Sequence, residues 1–213
     1  MRMGVHHFWP IGAGHGDRIS PILLRAEVSC AKLERPFVGS DIMPKTSDPR
    51  PKTGVQPYSA QLPMALLKAF ETNNRINLYL IENLPAEAWN AKTPDGKGRT
   101  VAAIVAHMHN VRVMWLKAAK AETIPDQLDR GTVTPKQAAS SLDDSCKALR
   151  AITARALETD GRIKNFRPDV AGFFGYLIAH DAHHRGQIAM LTRQLGRPLP
   201  QKAMFGMWEW GSR

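Results

Sequence analysis

Proline placement constrains this chain more than any other feature. Eight of its 15 prolines fall within residues 1–63, at 10, 21, 36, 44, 49, 51, 57 and 63. The other seven sit at 85, 94, 125, 135, 168, 198 and 200, leaving four long proline-free stretches. Proline removes a helical hydrogen bond and clashes with the preceding turn, so the first region cannot hold a long helix while the second can hold four. The spacing predicts helices over about Leu62–Leu84, Thr100–Ala121, Pro135–Leu157 and Asp169–Leu195. Thr134-Pro135 reads as an N-cap followed by proline at the first helical position, and Gly196 as the C-terminal stop of the last helix. Leu67, Phe70, Asn74, Asn77, Ile81 and Leu84 line one stripe of the first helix. Four amphipathic helices joined by modest connections predict an all-α four-helix bundle over residues 58–213. The aromatic segment Met204–Trp210 is expected to fold back onto it. Residues 1–57 read as an irregular, mobile extension with a linker over Met43–Gly54. His6, His7 and His15 there have no fixed spacing on an ordered element and carry no metal reading.

Composition narrows the function. Twenty-nine Lys plus Arg against 19 Asp plus Glu give a net charge of +10, but the excess is spread along the chain and marks no groove. Neither a basic block nor an aromatic stacking platform supports specific nucleic-acid binding. No apolar run approaches a membrane span and no secretory core precedes the helices, so the expected setting is cytoplasmic, with no membrane partner. Cys30 and Cys146 are isolated thiols, too few for a disulfide framework or a thiolate metal site.

The chemistry sits in His180-Asp-Ala-His-His-Arg-Gly-Gln187. At helical pitch His180 and His184 lie about 40° apart, one turn above the other, on the face that carries Phe173, Leu177, Ile188 and Leu191. Two imidazoles at i and i+4 can chelate one cation with little backbone strain. A third is expected from the second helix, where His107 shares a face with Ala103, Ile104, Val111, Met114 and Ala118; His109 points the other way and reads, like His183, as a surface or supporting residue. His107, His180 and His184 thus form a candidate metal site with open positions. Three neutral imidazoles suit a divalent transition metal, zinc or nickel first, with iron and copper as alternatives. Asp181 is short and lies off the histidine direction, which argues against peptidase chemistry of the HExxH kind. Asn74, Asn77 and Gln187 either line a pocket or hydrogen-bond in the core, and Arg185 is expected to tie helices together. Gly172, Gly175, Ala179, Ala182, Gly186 and Ala189 form a separate small-residue stripe on the last helix. It would admit the first helix, the third helix or the same helix of a second subunit, giving a homodimer.

The run His180-x-x-x-His184-Arg185-Gly186-Gln187, ending at Leu195-Gly196-Arg-Pro198, resembles the last helix of the DinB/YfiT-like superfamily. Ile104-Val-Ala-His107 followed by Trp115 is similar to that superfamily's second-helix pattern. The resemblance covers about residues 60–200 and implies a four-helix bundle that holds a divalent metal through His107, His180 and His184. It also implies metal-dependent work on a small-molecule substrate, either transfer using a low-molecular-weight thiol as co-substrate or hydrolysis. A non-enzymatic metalloprotein, in which the cation only braces the bundle, is the competing expectation.

Overall fold

A computed structural model describes residues 58–213; the expectations for residues 1–57, His6, His7, His15 and Cys30 among them, lie outside the described residues. Four long helices follow in order: α1 (Tyr58–Glu82), α2 (Val101–Ala119), α3 (Pro135–Leu157) and α4 (Val170–Gln194), then a short α5 (Gln201–Gly206). No β-strand is present among the described residues. Helix ends follow local chemistry. The Thr100 side chain caps α2 by accepting from the Ala103 amide, and Asp169 caps α4 by accepting from Gly172. Thr134 and Gln137 form a reciprocal capping box at the start of α3. Past α4, Gly196 takes a positive φ of 69°, where a side chain would be strained. The first helix starts earlier than the sequence suggests and contains Pro63 near its N-terminal end, where only an early helical hydrogen bond is forfeited.

Both α1 and α2 pack against α3 and α4, which places α1 opposite α2 and α3 opposite α4. The core is in two parts. One apolar cluster gathers Leu80, Trp89, Val105, Leu142, Ile188 and Leu191; the other gathers Phe70, Leu116, Leu149, Phe173, Phe174 and Leu177. Between them runs a buried polar layer of Asn73, Asn74 and Asn77 from α1, His109 and Arg112 from α2, Ser145 from α3 and Asp181 from α4. The side chains of α5 divide: Ala203 is buried and Met204 packs against the first cluster, whereas Phe205 is 64% exposed, and Trp208 beyond the helix is 78% exposed. Among the described residues, no other helix covers the middle of the small-residue stripe of α4. Gly175, Ala179, Ala182 and Gly186 are exposed, and a Cβ added at Gly175 or Gly186 would meet no other atom within 4 Å. This corrects the expectation that α1 or α3 could use it.

A histidine cluster beside a buried polar layer

His107 on α2 meets His180 and His184 on α4. Their ligating nitrogens all lie within 4.8 Å of one another, and they form the only such histidine, cysteine or carboxylate group among the described residues. The His184 and His180 Nε2 atoms are 3.1 Å apart. Tetrahedral coordination at ordinary metal–nitrogen lengths would set neighbouring donors roughly 3.3 Å apart, so the pair is already spaced for a shared cation. The Nδ1–H of His184 donates to Gln187 Oε1 at 2.7 Å, which turns the Nε2 lone pair toward the cluster. His184 is buried while His107 and His180 are only partly so, with the His180 side chain 16% exposed, and the cluster reaches solvent on that side. Tyr176 stacks on His180 at 6.1 Å and joins Trp115, Phe166 and Phe173 in an aromatic wall beside it.

Burial pushes the His107 pKa down to about 4, helped by His184, Arg99, His180 and Arg130. Burial also lowers the His184 pKa, against the hydrogen bond it donates to Gln187. A histidine whose folded pKa lies below 6.5 stays neutral while the unfolded chain takes up its proton. Stability is therefore fully present above pH 6.5 and declines as pH falls toward 4. The melting temperature of chelator-treated protein is expected to drop steadily across that window; a flat profile would contradict the assignment.

Asp181 lies directly behind the cluster, its Oδ1 3.9 Å from His180 Nδ1. Its Oδ2 accepts hydrogen bonds from Asn73, Asn77 and Arg112, at 2.7, 2.8 and 2.8 Å. Burial alone would raise this carboxyl's pKa, but Arg112, His180 and Asn77 together hold it well below the usual range. Arg112 also donates to Asn74 Oδ1 and to the Leu142 carbonyl, while Arg185 donates to Asn73 Oδ1 and Asn77 Oδ1. Each of those two asparagines thus gives its amide hydrogens to Asp181 and its oxygen to Arg185. All four helices contribute a partner. Arg185 ties α4 to α1, as the sequence suggests, and Asn74 and Asn77 serve the core rather than a pocket.

The surface reading of His109 is overturned. The residue is fully buried, with Nε2–H donating to the Asp126 carbonyl at 2.8 Å and Nδ1 3.2 Å from Ser145 Oγ. The reason is the seating of α2 between α3 and α4: His107 faces α4, His109 faces α3, and both directions are packed. Burial lowers the His109 pKa as well. His109→Ala should cost about 1–3 kcal/mol in urea unfolding, because the Asp126 carbonyl loses its partner in the interior. The His107 side should be untouched, so any metal content would stay at the wild-type value. Sequence reasoning offered core hydrogen bonding for Asn74 and Asn77 as one of two alternatives and a tie for Arg185, but missed Asn73, Arg112 and Asp181 as members of one layer. Its signal was present as Asn73, Asn74, Asn77 and Arg112, all near the midpoints of otherwise apolar helices.

A family model described as DinB family matches residues 57–210. No curated protein and no solved structure matches the chain.

Proposed function

We propose, from the premise that the chain belongs to the DinB family, that His107, His180 and His184 hold one divalent transition metal and serve a small-molecule reaction, thiol-dependent transfer or hydrolysis. The observation that carries the reading is the meeting of three imidazoles, one oriented by Gln187, at a place that two partly buried members open to solvent. A divalent cation held there would supply Lewis acidity, lowering the pKa of a thiol or water brought to it. The protein's part is positional: Gln187 holds the His184 ring, Asp181 stands behind His180, and the Tyr176–Trp115 wall shields one side of the opening. No glutamate or aspartate joins the three histidines as a ligand among the described residues. The donor set therefore adds no negative charge, which favours an anionic incoming group such as a thiolate. Zinc or nickel fits this set first, with iron and copper as alternatives.

The test uses cobalt as a visible stand-in. Full-length protein loaded with cobalt(II) is titrated with 2-mercaptoethanol and followed by absorption spectroscopy. A thiolate-to-cobalt charge-transfer band that saturates with thiol is the expected result. An unchanged spectrum would mean that no external ligand reaches the metal, leaving it a brace between α2 and α4.

The uncovered small-residue face of α4 supports a homodimer through that face. Sedimentation velocity should find a dimer in the native protein and a monomer in Ala182→Arg; a native monomer refutes it.

A further inference from the structure

A cavity of about 630 Å³ lies away from the histidines, where the α2–α3 connection and the α3–α4 connection pass over α3. Its floor is one helical face of α3 carrying Ala148, Ala151, Ile152 and Ala156, with Ile163 completing it. Those positions repeat as i, i+3, i+4 and i+8, the pattern a helix uses to bury itself against another helix. Among the described residues the segment Ala119–Pro125 crosses it in place of a helix; Ala148, Ala156 and Ile163 are buried, while Ala151 is exposed and Ile152 partly so. The walls are anchored. Arg155 on α3 pairs with Glu122 at 2.8 Å, and Asn165 Nδ2 in the α3–α4 connection donates to the Ala118 carbonyl in the last turn of α2 at 2.7 Å. The Ala118 carbonyl at the end of α2 is thus satisfied and does not compete for a ligand.

Charge around this groove is net positive. Lys120, Lys147, Arg155, Arg162 and Lys164 line it, against Glu122 and Asp144. Glu122 is already paired with Arg155, and Asp144 lies 3.7 Å from the Lys147 ammonium. Lys120, Arg162 and Lys164 make no ion pair among the described residues. All three sit on the two connections, with the Asn165–Ala118 bond holding the α3–α4 connection to the end of α2 beside Lys120, at the end of the groove where α3 finishes. From Ala148 to Ala156 the floor runs about 12 Å along the helix. The volume falls within the range typical of small-molecule sites, and an anchored, apolar, half-open cleft with a few polar groups at one end is the usual form of such a site.

We infer that this groove binds a small amphiphilic anion, with an aliphatic chain along the α3 floor and an anionic head at Lys120, Arg162 and Lys164. The site is independent of the histidine cluster and does not rest on the metal reading.

Decanoate, whose extended chain matches the length of the floor, is the probe, with full-length protein followed by titration calorimetry. Saturable binding of one decanoate per chain is expected, with decanol at least tenfold weaker because it lacks the charge. Arg162→Glu with Lys164→Glu should weaken decanoate at least tenfold, and Ala151→Trp, which fills the floor from an exposed position, should abolish binding. His184→Ala should bind decanoate like the wild type. Circular dichroism melts show whether each variant keeps its fold, and the charge-reversal pair decides the matter if Ala151→Trp does not. Absence of saturable binding to the wild type, equal affinity for decanol, or binding that survives in folded Ala151→Trp would overturn the inference.

Discussion

His184→Ala is expected to strip the metal from protein purified without a histidine tag, leaving elemental analysis near zero where the wild type holds about one equivalent. His184 is the most buried of the three candidate ligands and the one whose ring is held by Gln187. Structural zinc sites gain about 10–16 kcal/mol on metal binding, and losing one of three equal ligands removes roughly a third of that, about 3–5 kcal/mol. That is two to four orders of magnitude in affinity. His183→Ala, on the exposed side of the same helix, should leave the metal content intact. Metal retained by His184→Ala at the wild-type level would return the three histidines to the role of packing residues.

The second large effect lies in the polar layer. Arg112→Met leaves the Asp181 carboxylate in the interior with two amides and no opposite charge in contact, and should cost about 3–5 kcal/mol in urea unfolding. Asp181→Ala should cost a similar amount by leaving the buried Arg112 guanidinium without its carboxylate. Ordinary domains have about 5–15 kcal/mol in total, so either variant should melt far below the wild type. The combination of Arg112→Met with Asp181→Asn should cost clearly less than the sum of its singles, by at least about 1 kcal/mol, because removing both charges leaves neither exposed to the apolar interior. Strict additivity in that cycle would show that the two groups do not interact as their 2.8 Å contact requires.

The bundle was legible because its helices announce their ends. Thr134-Pro135, Asp169 and Gly196 stop or start the backbone through hydrogen bonds made within a few residues, and such signals survive in sequence. His180 and His184 were legible for the same reason, since their spacing is a property of one helix. His107 was placed in the cluster correctly, but through a flawed picture of α2. Treating one face as inward and the opposite face as outward misplaced His109, because a helix wedged between two neighbours has two packed sides. Met114, counted among the inward apolar neighbours of His107, is 47% exposed. The pairing of Asp181 with Arg112 spans 69 positions, and no periodicity within either helix reports it. What a single helix decides could be read, and what two helices decide together could not.

The divided core has a consequence for how the bundle is keyed. Leucine, valine and alanine contacts above and below would tolerate one helix sliding past another by a turn, since aliphatic surfaces differ little from one turn to the next. The middle layer does not tolerate it, because its donors and acceptors match in one position alone. A slip of α4 along α1 by one turn would cost Asp181 and Arg185 each one of their two asparagine partners, and would carry Asp181 away from Arg112. His180 and His184 ride on the same helix within four residues of that lock. Their height relative to His107 is consequently set by charge and amide pairing before any ion arrives, so the ion would find its three nitrogens already mustered rather than having to gather them.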